Sequence, residues 1–136
     1  MAWHTKGGPV TRTSVPYEDL LGIPHVSGSL ELSSGALDCS GIVAEVIRRV
    51  LGEEARAAFL GQLAGRGSDW IEVPQAEARL GDVVLSGGGD GPHVSAVVST
   101  GPDYVLSSAY GLGSFATRLR SVVNLVCVYR YPGPKI

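Results

Sequence analysis

A chain of 136 residues is long enough to bury one core and too short for two comfortable ones. With 44% hydrophobic and 18% charged residues it is built to fold, and a net charge of −2 without a basic run excludes the electrostatic footprint of a nucleic-acid binder. No run reaches the roughly 18 apolar residues that crossing a bilayer takes, and Met1 to Gly8 lacks the apolar centre of a signal peptide, so a leaderless chain with no membrane partner is expected.

Residues 1–16 carry Gly7, Gly8, Pro9 and Pro16 without an apolar period, and 132–136 read Pro-Gly-Pro-Lys-Ile. Both ends are expected to be arms flanking a domain over 17–131. A short helix is predicted at Tyr17–Leu21, closed by Gly22 and Pro24, and a loop follows through Ser27-Gly28-Ser29 and Ser33-Ser34-Gly35. From Ser40 to Leu51 the apolar residues Ile42, Val43, Val46, Ile47, Val50 and Leu51 recur every three to four positions, which puts one apolar stripe on a helix. Gly52 stops it. A second helix over Glu53–Ala64 is predicted to bury Phe59, Leu60 and Leu63, with Gly65 and Gly67 beyond its end.

After Trp70 the rhythm changes to short β-favouring runs: Asp82–Ser86, His93–Ser99, Asp103–Ser107, Ser114–Leu119 and Val122–Tyr131. The glycines of Gly87-Gly-Gly-Asp-Gly lack the lysine and Ser/Thr of a phosphate loop and read as a hairpin connection. Helices first and strands afterwards predict an α+β domain with helices on one side of a five- to six-stranded antiparallel sheet.

Two cysteines are present, Cys39 at an apparent helix start and Cys127 in an apolar strand-like run, and they read as independent thiols. A helix N-terminus favours a thiolate because its amides lack partners and the helix dipole is positive there. Asp38 or Ser40 is placed to cap that helix, and Gly41 lets a backbone or a substrate come close. A nucleophilic cysteine needs a base, and the chain offers His4, His25 and His93. His93 opens a strand directly after a tight glycine loop and is the best placed; His25, in the loop before Cys39, stays a competitor, and His4 falls in an arm. Zinc-type spacing is missing, so no metal and no cofactor is expected.

Leu37-Asp38-Cys39-Ser40-Gly41-Ile42-Val43 resembles the Asp-Cys-Ser-Gly-Leu-Val motif of NlpC/P60 domains, whose cysteine attacks a peptide bond. Ala78-Arg79-Leu80-Gly81-Asp82-Val83-Val84 is similar to that family's Pro-Gly-Asp-Leu-Val segment, His93-Val94 to its His-Val-Gly-Ile strand, and Leu21–Gly28 to its Gly-x-Pro-Tyr-x-x-Gly-Gly loop. Order and spacing hold over about residues 17–131. The resemblance implies a papain-like fold, Cys39 as nucleophile, His93 as base, Ser107 (or Ser108 one step on) orienting the imidazole through Nδ1, and His25, Asp38 and Ser40 around the substrate. It implies the stem peptide of peptidoglycan as substrate, cut next to a γ-linked D-glutamate.

Val122–Tyr131 and Leu51-Gly52 look most like the subgroup found among phage tail assembly and tail-tip proteins, which implies tail-tip partners, residence in the virion tail or, before assembly, the host cytoplasm, and action at the cell wall. The chain departs from the pattern at Ser107, where the family has His, Asn or Gln, at His25 in place of tyrosine, and at Ser95 in place of glycine; the second loop glycine is displaced. These departures keep a rival open, a tail-assembly or hub module with little turnover. An amidase or acyltransferase would use the same residues.

Overall fold

In the computed structural model, residues 14–30, 34–63, 70–88, 91–109 and 111–133 are described. Asp38 starts the first helix, α1 (Cys39–Leu51), by accepting a hydrogen bond from the Gly41 amide at 2.8 Å. Gly52 ends it at φ 100°, a conformation that costs an L side chain strain, and its amide donates to Arg48 O. α2 (Glu53–Leu63) then folds back on α1. A 3-10 turn at Glu18–Leu20 lies within the span predicted as a short helix.

Six strands follow: β1 (Ile71–Val73), β2 (Val83–Gly88), β3 (Gly91–Ser99), β4 (Tyr104–Ala109), β5 (Gly113–Arg118) and β6 (Leu125–Arg130). They form one antiparallel sheet in the order β1-β6-β2-β3-β4-β5, so the last strand inserts beside the first two. The architecture is α+β, two helices packed on a six-stranded antiparallel sheet. β2 and β3 pair as far as Gly88 and Gly91, the hairpin read from the glycine run. β1 has no counterpart in the sequence reading, because three residues carry too little alternation to register.

Strand alternation divides the core in two. On one face Ile42, Val43, Val46 and Ile47 of α1 pack with Ala96, Val98 and Leu106; on the other Val84, Val97, Val105, Leu119 and Val128 cluster. Leu51, counted in the apolar stripe, is 41% exposed because the helix ends there. Phe59 is buried and Leu60 half-buried as predicted for α2, whereas the Leu63 side chain, Gly65 and Gly67 lie outside the described residues, as does His4. The chain joins the core ahead of Tyr17: Val15 is buried and its amide donates to Val98 O at 3.0 Å.

One buried ion pair fastens the sheet. Asp82, 2% exposed, accepts from Arg130 Nε at 3.0 Å, from Arg130 Nη2 at 2.9 Å and from the Arg79 amide at 2.8 Å. The fork of Arg130 also reaches Glu77 O, so the β2 start, the β6 end and the turn before β2 are held at one point.

Candidate active site

Cys39 is the first residue of α1, a partly exposed free thiol, and the segment ahead of it is clamped. Asp38 Oδ1 accepts from Gly41 N and Oδ2 from Gly28 N at 2.9 Å, while the Asp38 amide donates to Ser29 O at 2.9 Å. Both carboxylate oxygens are therefore engaged by backbone amides of the fold. Gly41 makes this clamp possible: a Cβ there would stand 2.6 Å from Ser29 O, a clash with backbone, and 2.9 Å from the Leu37 side chain. The close approach foreseen at Gly41 is thus filled by the chain's own loop. Ser40, half-buried, continues the first turn.

The end of β4 gathers the two described histidines. Ser107 Oγ makes a short hydrogen bond with His93 Nε2, and Ser108 Oγ lies 3.0 Å from His25 Nδ1 while donating to Leu37 O at 3.3 Å. Ser108 is fully buried and Ser107 nearly so. Consecutive serines of β4 thus hold one histidine each, His93 on Ser107 and His25 on Ser108. The segment carrying Cys39 is joined to this end through Leu37, two residues before the thiol.

The nitrogen on Ser107 is Nε2, where the sequence reading placed Nδ1. The pairing of β3 with β4 begins at Ala96 and Leu106, so His93 stands beyond the paired stretch and meets Ser107 through its outer ring nitrogen. Nδ1 is left as the nitrogen not held by Ser107. Burial holds the His93 imidazole below its usual 6.5, and the charge of His25 lowers it further, so His93 is neutral at pH 7. A neutral, oriented imidazole is the form that accepts a proton.

Two positioning residues were missed by the sequence reading. Ser114 Oγ accepts from the Ile23 amide at 2.7 Å and bonds Leu20 O, and Gly113, at φ 77°, leaves room for Ile23 O, which a Cβ would approach to 2.7 Å. Together they seat the loop that carries His25 against β5. A serine in a β-favouring run carries no sequence signal for such a role. Among the described residues no group of three or more His, Cys, Asp or Glu side chains is placed to hold a metal ion.

Solved structures are similar to this chain. The NlpC/p60 domain of the peptidoglycan hydrolase SagA superposes with a TM-score of 0.56 at 18% identity, over 83% of this chain and 91% of that one. The fold is that of an NlpC/p60 domain. No family model and no curated protein matches the sequence. Within the NlpC/p60 fold, the sequence segments around Cys39, Asp82 and His93 take distinct parts: Asp82 fastens strands, whereas Cys39 opens α1 and His93 stands near the start of β3.

Proposed function

We propose that the chain is a cysteine hydrolase of the NlpC/P60 family that cleaves an amide bond in the stem peptide of peptidoglycan, next to a γ-linked D-glutamate. The observation that carries this reading is the His93 imidazole held by buried Ser107 through Nε2, at the strand end tied to the Cys39 segment. With Nε2–H donated to Ser107, Nδ1 carries the lone pair that takes the Cys39 proton. The thiolate attacks the carbonyl carbon, and the oxyanion that forms is met by the Cys39 amide at the helix start. His93 then gives its proton to the leaving amine, and water, deprotonated by the same imidazole, releases the acyl group from the thioester. Ser107 is a positioning residue, and His25, Asp38 and Ser40 border the substrate.

The sequence resemblance of Val122–Tyr131 supports a finer assignment, an enzyme of a phage tail that works at the cell wall beside tail-tip proteins. Ser107 standing where the family has His, Asn or Gln favours a second reading, an assembly or hub module on the same fold. Digestion of purified peptidoglycan by wild type and Cys39→Ala separates them. New stem-peptide fragments from wild type alone, read by mass spectrometry, support the hydrolase; none from either chain supports the module, and release of ammonia or acyl exchange without fragments points to an amidase or acyltransferase.

A further inference from the structure

At the end of the sheet away from the candidate active site lies a concavity of about 400 Å³, within the range of small-ligand sites. The 3-10 turn Gln75–Glu77 borders it on one side, and the end of β5 with the 3-10 turn Leu119–Ser121 on the other. β4 separates it from the Cys39 centre: Asp103 in its lining stands ahead of β4, about 13 Å of extended chain from Ser107.

Two guanidiniums, Arg118 and Arg120, line this pocket. Elsewhere Arg48, Arg49, Arg56 and Arg130 are each matched to a carboxylate, but the side chains of Arg118 and Arg120 form no ion pair or hydrogen bond among the described residues. Arg118 is nevertheless held in place, its guanidinium carbon 5.5 Å from the centroid of the Tyr104 ring. Leu119 between them is buried, and its amide donates to Asp103 O at 2.9 Å, so the segment that carries both charges is anchored to the sheet. The single carboxylate of the lining, Asp103, accepts from the Gly101 amide at 3.3 Å through Oδ1.

Such a lining sorts ligands by charge. A cation meets two positive groups and one carboxylate already engaged by backbone. A neutral apolar ligand strips water from two guanidiniums and returns no acceptor, which costs more than the apolar contact yields. An oxyanion receives N–H groups from two guanidinium forks and from the Gln75 amide. Two arginines against Asp103 leave a net lining charge of +1, which suits a single negative charge. Pro102 and Leu119 beside the arginines suit the hydrocarbon of a carboxylic acid better than the hydrated surroundings of a phosphate.

We infer that this pocket binds a peptide carboxylate, taken by Arg118 and Arg120, as an anchoring site separate from the Cys39 centre. The inference stands whether or not Cys39 is catalytic.

Binding is measured on the full chain by NMR, following the Nε–H signals of Arg118 and Arg120, assigned with Arg118→Gln and Arg120→Gln. Nα-acetyl-alanine and Nα-acetyl-glutamic acid α-amide are titrated beside their fully amidated counterparts and inorganic phosphate. At least one acid binds about tenfold more tightly than its amide, and the tighter of the two acids tells whether a chain-terminal or a side-chain carboxylate is taken. Arg118→Gln and Arg120→Gln each weaken that binding about threefold or more. Asp103→Asn, which can still accept from the Gly101 amide, tightens it about twofold or more, a gain that a misfolded chain cannot give. Cys39→Ala leaves it unchanged. Equal affinities for acids and amides, or arginine signals that neither acid moves, overturn the inference. Phosphate binding more tightly than both acids overturns the carboxylate assignment, and loss of binding in Cys39→Ala overturns the separation from the Cys39 centre.

Discussion

Two polar regions of this sheet are built alike and used differently. At the root of β2 and β6, Asp82 and Arg130 are joined by two hydrogen bonds, with the Arg79 amide and Glu77 O taking up further capacity. At the tip of β3 and β4, His93 is held by a single serine, and one ring nitrogen is not part of that contact. A saturated cluster fixes geometry. A cluster held on one side keeps a group able to exchange a proton.

The widest separation between the regions is expected from single substitutions at each. His93→Ala lowers kcat/KM for the cleaved stem peptide by about 10²–10⁴-fold, the usual yield of a positioned base, yet lowers stability by no more than about 1–2 kcal/mol, the cost of leaving Ser107 unpaired. Denaturant unfolding beside the kinetic assay reads both. Asp82→Ala does the reverse: it strands the Arg130 charge in a site where its side chain is 22% exposed, and removes about 3 kcal/mol of stability. A displaced unfolding midpoint at unchanged slope measures that loss. An Asp82→Ala chain as stable as wild type would dissolve the contrast.

Much of the tip region was readable before any coordinates, and the reason differs residue by residue. Asp38, Cys39 and Gly41 are adjacent in sequence, so cap, thiol and close approach are local properties of one helix start. Ser107 was reachable only through the family resemblance, which set it, or Ser108 one step on, at the place of the third polar residue. The ring nitrogen was not, since it depends on how far His93 stands from Ser107 once the strands are placed. The partner of Asp82 was hidden because Arg130 stands 48 residues away, on a strand that returns to pair beside β2.

A finer comparison sets positioning against chemistry. Ser107→Ala keeps the imidazole but frees its outer nitrogen, so kcat is expected to fall by about tenfold, with KM little changed. Ser107→Asn, which restores a side chain able to hold Nε2, recovers most of the loss. Rescue of that kind is something a merely structural serine would not give.

The smallest expected effect concerns the two histidines themselves. His93 is kept below 6.5 in the folded chain, by burial first and by the charge of His25 second. The unfolded chain binds a proton near pH 6.5 that the folded chain still refuses, so between 6.5 and the lower folded value stability falls as pH falls, and above 6.5 it is fully present. The same depression extends the neutral base to lower pH, and the acid limb of kcat/KM lies below 6.5. Replacing His25 by phenylalanine removes the charge but not the burial. The acid limb then moves up, and the stability loss below pH 6.5 becomes shallower in step with it. A limb that stays in place would mean that the two imidazoles do not sense each other. A limb that vanishes with His25 would transfer the base from Ser107's partner to Ser108's.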